Sequence, residues 1–203
     1  PEGRLISHGP APDAGDLTDV SRQQDLLSRA FLKMEDLDVA LLAYGSLSDQ
    51  AACEKDATKT VESIHVNFVS AVSWLTLLSN RFERQGRGTI AAISSVAGDR
   101  GRQSNYIYGA GKGGLTIFLQ GLRNRLCRSG VHVLTIKPGF VDTPMTSHMK
   151  KTFLFASPEK VGRQIYQAIE RKKNVLYTPG FWRWIMWVVC HVPEKIFKRL
   201  RFS

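Results

Sequence analysis

Apolar runs alternate with helical stretches along most of the chain, and this alternation restricts the possible folds more than any other feature of the sequence. Four runs have the composition of buried strands: residues 37–43, 88–94, 131–137 and 174–177. Helices are predicted at three places between or after them, namely at about 51–84, at about 104–128 and from Ser157, where serine before Pro158 is typical of a helix start. Near-continuous apolar strands separated by helices are typical of a parallel sheet covered on both faces. We therefore predict an α/β fold with a doubly wound parallel sheet.

Glycines and polar residues follow three of the predicted strands directly. Gly45 follows the first strand, Ser94 and Ser95 follow the second, and the pair Pro138-Gly139 follows the third. In open parallel sheets, ligands bind beyond the carboxyl ends of the strands. We therefore expect these residues to collect at one rim of the sheet and to line a binding site there.

Tyr108 and Lys112 are the most informative pair of side chains. Residues four apart lie on the same face of a helix, so the ammonium is expected beside the phenol. A neighbouring cation favours the phenolate and lowers a tyrosine pKa from about 10 toward neutrality, which suits a general acid or base. Ser95 lies 13 residues upstream of Tyr108, and Asn67 lies a further 28 upstream. The spacing of the four residues indicates a catalytic site.

Each of these residues also has an ordinary structural explanation. Ser95 is compatible with a hydroxyl at a strand end, Asn67 with a helix residue bonded to the backbone, and Lys112 with a surface cation. The set as a whole favours catalysis. A phosphate-binding loop around Lys112 is excluded, because glycine follows the lysine where that motif has serine or threonine.

Several segments resemble the classical short-chain dehydrogenase/reductase family, in the family's own order, from about Asp13 to about Met145. The segment 93–98, Ile-Ser-Ser-Val-Ala-Gly, is similar to the one that carries the active-site serine. Tyr108 and Lys112 match the family's Tyr-x-x-x-Lys, and Asn67 matches the asparagine of the preceding helix. The segment 137–143, Lys-Pro-Gly-Phe-Val-Asp-Thr, is similar to the one that holds the nicotinamide end of the cofactor.

The resemblance implies a Rossmann-like fold, NAD or NADP as cofactor and reduction of a carbonyl group. Tyr108 would protonate the carbonyl oxygen while Ser95 hydrogen-bonds it. Lys112 would lower the tyrosine pKa and bind the nicotinamide ribose, and Asn67 would hold a water that relays protons. The cofactor contacts implied besides Tyr108 and Lys112 are Asp13, Ala14, Gly45, Pro138, Gly139, Val141 and Thr143. A homo-oligomer is also implied, with the helices around Asn67 and Tyr108 at its interface.

The resemblance begins near the family's third strand, expected here at 5–8. The first two strands and their glycine-rich turn, which receives the cofactor pyrophosphate, are therefore expected upstream of Pro1. The run 37–43 would then be an unpaired sheet edge, and we expect the 203 residues alone to bind dinucleotide weakly. The family usually has Asn-Asn-Ala-Gly where this chain has Leu-Ala-Tyr-Gly at 42–45.

The positive charge is concentrated near the C-terminus. The net charge is +10, and residues 150–203 contain 12 Lys or Arg against 3 Asp or Glu. We divide the chain into a catalytic domain, 1–180, and an aromatic and basic tail, 181–203. The apolar run 181–192 is too short to span a bilayer, and its composition suits a helix in a membrane interface. Packing over the substrate pocket or against a second subunit is the alternative, and no nucleic-acid-binding motif is present.

The tail also resembles one subgroup of the family, the reductases that complete the epimerisation of decaprenyl-phosphoryl ribose. The shared features are the aromatic run, His-Val-Pro at 191–193 and Ile-Phe-Lys-Arg-Leu at 196–200. This implies a keto-sugar on a polyprenyl phosphate, reduced at the cytoplasmic face of the cell membrane. The alternatives are a sugar-nucleotide epimerase or dehydratase, and a non-catalytic interaction module. The three cysteines and five histidines are scattered, which gives a metal site little support.

Overall fold

The computed structural model describes residues 16–33, 36–147 and 149–200. The predicted strand at 5–8 and the predicted adenine contacts Asp13 and Ala14 lie outside these residues. The helices are α1 (Val20–Lys33), α2 (Gln50–Lys55), α3 (Ala57–Ile64), α4 (Ser70–Gln85), α5 (Tyr106–Leu126), α6 (Pro158–Glu170), α7 (Trp182–His191) and α8 (Glu194–Phe197). The strands are β1 (Val39–Leu42), β2 (Gly88–Ile93), β3 (Val131–Pro138), β4 (Phe140–Val141), β5 (Phe155–Ala156) and β6 (Val175–Thr178).

Four of the strands form one parallel sheet in the order β1-β2-β3-β6. β4 and β5 make a separate two-stranded parallel ladder. The α/β fold with a parallel sheet is confirmed, and each predicted strand of this sheet lies within a residue or two of its expected position. Among the described residues, β1 pairs with β2 alone, so it forms one edge of the sheet as expected.

The two faces of the sheet are covered by different helices. On one face, α4 and α5 contribute Leu75, Phe82 and Leu119, which are fully buried against β2 and β3. On the other face, α6 packs Val161 and Ile165 over the opposite side of the same strands. Burial on both faces explains why the strand sequences are almost continuously apolar.

The single helix predicted over 51–84 is wrong in detail, because Asp56 interrupts it. The Asp56 carboxylate accepts hydrogen bonds from the backbone N–H groups of Thr58 and Lys59 and thereby starts α3 as a new helix. A π-helical turn, His65–Val69, then joins α3 to α4. The stretch Ala57–Gln85 is long and apolar enough to cross a membrane by length and composition. In this fold α4 packs against β2 and α5, and α3 packs against α5.

Candidate active site

Lys112 lies on the face of α5 that covers the end of β2. Its side chain is 3% exposed, and its Nζ donates a 3.0 Å hydrogen bond to the carbonyl oxygen of Ile93, the last residue of β2. The same Nζ lies 5.9 Å from the centroid of the Tyr108 ring, one helical turn away. Burial lowers the pKa of Lys112 to about 8. The predicted pair is therefore brought together at the rim of the sheet.

Ser95 connects the end of β2 to the phenol of Tyr108. Its Oγ accepts a 3.1 Å hydrogen bond from the backbone N–H of Ala97, which caps the short 3-10 turn Val96–Gly98. Ser95 also lines the same cavity as Tyr108, and its hydroxyl acts to lower the pKa of that phenol. Because its oxygen already accepts from Ala97, the hydroxyl hydrogen is available for donation toward Tyr108 or a ligand.

The pKa of Tyr108 moves in the opposite direction from the sequence expectation. Burial raises this pKa, and the nearby Ser95 hydroxyl only partly opposes the shift. The expected lowering by Lys112 is wrong here. Burial disfavours every charged form, so the same desolvation that lowers the pKa of Lys112 stabilises the neutral phenol.

Asn67 lies in the π-helical turn and is 1% exposed. Its Nδ2 donates to the carbonyl oxygens of Ser46, at 2.9 Å, and Ser63, at 3.0 Å, and its Oδ1 accepts from the Ser46 N–H at 3.2 Å. The side chain therefore fixes the loop that follows β1 at the edge of the site. Both hydrogens of its amide are committed to this task.

Gly45 is the point at which this loop meets the lysine. A Cβ at Gly45 would lie 2.9 Å from Oδ1 of Asn67 and 3.0 Å from Nζ of Lys112. Only a residue without a side chain fits between these two groups unless one of them moves. The predicted residues Gly45, Asn67 and Lys112 thus form one buried unit, which we call the cavity floor.

Tyr44 stands where the family usually has alanine before this glycine, and Leu42 and Ala43 stand where it has the two asparagines. Its hydroxyl lies 2.9 Å from Oγ of Ser70 at the start of α4, and its ring packs against the main core. The loop after β1 is therefore held by a tyrosine contact to the helix below it.

The segment after β3 forms the opposite side of the site. Pro138, Gly139, Val141 and Thr143 line the same cavity as Ser95, Tyr108 and Lys112. A Cβ at Gly139 would fall 1.9 Å from Nε1 of Trp182, so the indole lies directly on the glycine. The sequence expectation that these residues lie around one cavity agrees with the structure.

A buried ion pair supports this segment from behind. Lys137, which precedes Pro138, pairs with Asp99, and the Tyr177 hydroxyl donates to the other carboxylate oxygen of Asp99 at 2.9 Å. Both ion-pair side chains are less than a tenth exposed. Asp99 also raises the pKa of Tyr177, after burial, which is the larger cause. This network has no signal in the sequence, since it joins residues from three distant segments without a local motif.

The cavity has a volume of about 380 Å³ and a largely apolar wall. The apolar side chains that line it are Leu47, Ile93, Val96, Phe140, Val141, Met145, Met149, Val161, Ile165 and Trp182. Further polar side chains on this wall, without a sequence motif of their own, are Arg102, Asn105 and Thr146. Within the described ranges, no group of three or more His, Cys, Asp or Glu residues could hold a metal ion.

The profile of the short chain dehydrogenase family matches residues 11–153. This chain is a short-chain dehydrogenase. It is 35% identical over 185 residues to an uncharacterized oxidoreductase of Mycobacterium tuberculosis, with 91% of this chain and 74% of that protein covered. It is 34% identical over 165 residues to an uncharacterized oxidoreductase of Streptomyces coelicolor, with 81% and 65% covered.

Solved structures agree with the fold of the dehydrogenase. A short chain dehydrogenase from Burkholderia cenocepacia in complex with NADP superimposes with a TM-score of 0.78 at 19% identity, covering 93% of this chain and 77% of that one. Membership of the family makes the chain an NAD(P)-dependent oxidoreductase.

The described residues fit the nicotinamide half of such a cofactor. Lys112 uses one donor on Ile93, which leaves ammonium hydrogens to bind ribose hydroxyls. Gly45 and Gly139 expose backbone where a side chain would collide with Lys112 or Trp182. Lys112, Tyr108 and the segment 138–143 would therefore hold the nicotinamide riboside. NAD or NADP supplies a hydride acceptor or donor when it is bound.

Proposed function

We propose that this dehydrogenase reduces a ketone with a hydride from NADH or NADPH. The observation that carries the proposal is that Ser95, Tyr108 and Lys112 line one cavity, with the Lys112 ammonium beside the Tyr108 ring. Ser95 donates a hydrogen bond to the carbonyl oxygen, where negative charge develops. Tyr108 then gives its proton to that oxygen. Because burial raises the pKa of Tyr108, the phenol is protonated at neutral pH and is ready to act as the acid, which is the direction of reduction.

In the proposed mechanism, Lys112 and Asn67 support Tyr108 from the cavity floor. Lys112 holds a positive charge near the phenolate that forms and orients the ribose. Its pKa of about 8 places its proton within reach of exchange near neutrality. The second lone pair of Asn67 Oδ1 is available to hold the water of a proton relay to Lys112. Gly45 keeps the two groups close by leaving the space between them open.

The proposed substrate is a keto-sugar carried on a polyprenyl phosphate. The apolar wall of the cavity supports this proposal, because Phe140, Met145 and Met149 offer contacts suited to a hydrocarbon chain. Methionine adapts to irregular apolar ligands better than branched residues do. A free, fully polar sugar would leave this wall without a partner.

We further propose that the C-terminal segment, 181–200, attaches the enzyme to an anionic membrane at the cytoplasmic face. Trp184 and Trp187 are 69% and 58% exposed, and Val188 lies on the same face of α7. Exposed cations accompany them at Arg183, Lys195, Lys198 and Arg199. Exposed tryptophan beside lysine and arginine suits the interface of a bilayer with acidic headgroups.

A homo-oligomer is proposed through the outer surfaces of α3 and α5. Val61 on α3 and Ile117 on α5 are 67% and 70% exposed. α3 directly precedes the π-helical turn that contains Asn67, and α5 contains Tyr108 in its first turn. Val61→Lys with Ile117→Lys should lower the mass measured by light scattering, while Leu32→Lys on α1 should not. An unchanged mass in the double variant would contradict this interface.

The reductase proposal is tested by Tyr108→Phe in the protein expressed from its complete coding sequence. Loss of the acid should lower kcat by about 10²–10⁴-fold, while NAD(P)H binding measured by fluorescence stays intact. Tyr106→Phe is the matched control, because Tyr106 lies on the same helix and is exposed. Full turnover of a ketone by Tyr108→Phe would show that the assigned role is wrong.

The membrane proposal is tested by flotation with vesicles of phosphatidylcholine, with and without phosphatidylglycerol. The variant Trp184→Ala with Trp187→Ala should float less with the anionic vesicles, and salt should weaken flotation of the unmodified protein. Leu32→Ala, which removes an exposed apolar side chain from α1, is the control. Equal flotation of all three proteins would contradict attachment through this segment.

A further inference from the structure

Arg102 lines the cavity on the side of Tyr108 but takes no part in the proposed chemistry. It lies in the loop between the turn of Ser95 and α5, three residues before the N-cap residue Asn105. Arg102 and Asn105 border the same space as Ser95 and Tyr108. A substrate whose carbonyl group reaches Tyr108 would therefore lie next to Arg102 and Asn105.

The guanidinium of Arg102 has no partner among the described residues. Its Nε is buried and makes no hydrogen bond. Asp99 attracts Arg102, yet both oxygens of that carboxylate are already engaged by Lys137 and Tyr177. Burial lowers the pKa of Arg102, and the attraction of Asp99 offsets only part of this cost of burying the charge.

Arg100, two residues earlier, shows what a structural arginine looks like in the same loop. Its guanidinium donates to the carbonyl oxygens of Val189, at 2.7 Å, and Val192, at 2.6 Å, and pairs with Glu194 at 2.8 Å. It also stacks on the ring of Phe197 at 3.6 Å. Both terminal nitrogens of Arg100 bind the C-terminal segment, whereas no side-chain hydrogen bond joins Arg102 to the described residues.

Asn105 is a second polar group of this wall without a partner. An N-cap asparagine normally accepts from the N–H groups of the first helical turn. Here Oε1 of Gln50 accepts from the Ile107 N–H at 3.3 Å instead, and Oδ1 of Asn105 is buried without a hydrogen bond. Nε1 of Trp182, across the cavity, is a third such atom. Buried polar atoms without partners are rare in proteins and require an explanation.

We infer that Arg102 binds an anionic group of the substrate, a phosphate ester or a carboxylate, while Asn105 accepts from a neighbouring hydroxyl. The inference rests on the proposed reduction of a ketone and adds the substrate class, an anionic hydroxyketone. A guanidinium presents paired N–H donors that match two oxygens of a phosphate or carboxylate. The apolar remainder of the cavity strengthens the attraction by excluding water.

The first test compares reduction of dihydroxyacetone phosphate, hydroxypyruvate and neutral dihydroxyacetone in the protein expressed from its complete coding sequence. For Arg102→Gln, the ratio of kcat/KM between a charged and the neutral ketone should fall by about 10–100-fold, mostly through KM. Arg102→Lys should restore part of the ratio. Arg128→Gln, at an exposed arginine beyond the end of α5, should leave it unchanged. The charged ketone with the larger change identifies the anion. An unchanged ratio in Arg102→Gln would overturn the inference.

The second test does not depend on turnover and separates the anion site from the reductase proposal. Calorimetry should detect binding of dihydroxyacetone phosphate to the unmodified protein and to Tyr108→Phe, and weaker binding to Arg102→Gln. If no ketone is reduced but this difference remains, the anion site stands and the reductase proposal fails. Equal affinity in all three proteins, or no binding to the unmodified protein, overturns the site.

Discussion

The cavity floor and the C-terminal segment differ in how completely their side chains are used. On the floor, Asn67 and Lys112 are almost fully buried, and their polar atoms bond to backbone groups of three separate elements. In the C-terminal segment, Trp182 and Met186 are buried, while Trp184 and Trp187 face outward. One face of α7 therefore packs against the body of the protein, and the other is exposed and available for contact with a membrane or another molecule.

This difference suits the two tasks that we propose. Proton transfer requires groups held within hydrogen-bond reach of one another, which closed packing and committed hydrogen bonds provide. Attachment to a surface requires exposed apolar area and charge, which would be a liability inside a folded core. The segment is held to the body through Arg100 and a few buried aromatic contacts, so its outer face remains uncovered.

The largest expected effect on stability lies between the two regions, at the buried pair of Asp99 and Lys137. Asp99→Asn leaves the Lys137 ammonium buried without its counter-charge and should lower the free energy of unfolding by about 3–5 kcal/mol. Asp142→Asn breaks the exposed pair with Lys151 and should cost about 0–1 kcal/mol. Urea denaturation of both variants checks the contrast. Similar losses would show that burial does not determine how much each ion pair contributes to the free energy of unfolding.

The cavity floor should make stability depend on pH through Lys112. Its pKa in the folded protein, about 8, is below the ordinary value of 10.5. The folded state therefore binds fewer protons than the unfolded chain between these values, and stability should rise with pH across that window. At pH 7 the buried charge costs roughly 3 kcal/mol. Lys112→Met should abolish this rise, as measured by urea denaturation between pH 7 and 10. The same slope in both proteins would contradict the shifted pKa.

Gly45→Ala tests whether the cavity floor is closely packed around this glycine. The added Cβ would crowd Asn67 and Lys112, and such overpacking should destabilise the protein by about 1–3 kcal/mol. Gly121→Ala is the control with the opposite sign, because nothing lies within 4 Å of its Cβ position in the middle of α5. That variant should stabilise the helix by about 0.5–1 kcal/mol. Thermal unfolding of both measures the difference, and equal shifts would argue against close packing at Gly45.

The smallest effect is expected on the outer face of the C-terminal segment. Trp184→Ala should change the free energy of unfolding by less than about 0.5 kcal/mol, because its side chain already faces solvent. Met186→Ala, on the buried face of the same helix, should cost about 2–5 kcal/mol. Chemical denaturation distinguishes the two. A large loss in Trp184→Ala would mean that this face packs against the body after all.

The success and the failure of sequence reasoning have different physical causes in different elements. The strands and α5 were predictable, since their apolar patterns follow directly from burial on two faces or one. The break at Asp56 was not anticipated, although an aspartate before Thr58 is a usable signal for a helix start. The buried pair of Asp99 and Lys137 left no signal at all, because its partners lie 38 residues apart.

The sequence by itself determined the class of fold and the identities of Asn67, Ser95, Tyr108 and Lys112 as candidates. The apolar periodicity and the spacing of these residues are properties of the chain itself, and they do not depend on tertiary contacts. Only the tertiary structure decided that burial raises the pKa of Tyr108. It also decided that Gln50, in place of Asn105, accepts a hydrogen bond from the first turn of α5. It likewise decided that Arg102 has no partner while Arg100 has several. Desolvation and long-range pairing arise from contacts between distant segments, and no local pattern in the chain specifies them.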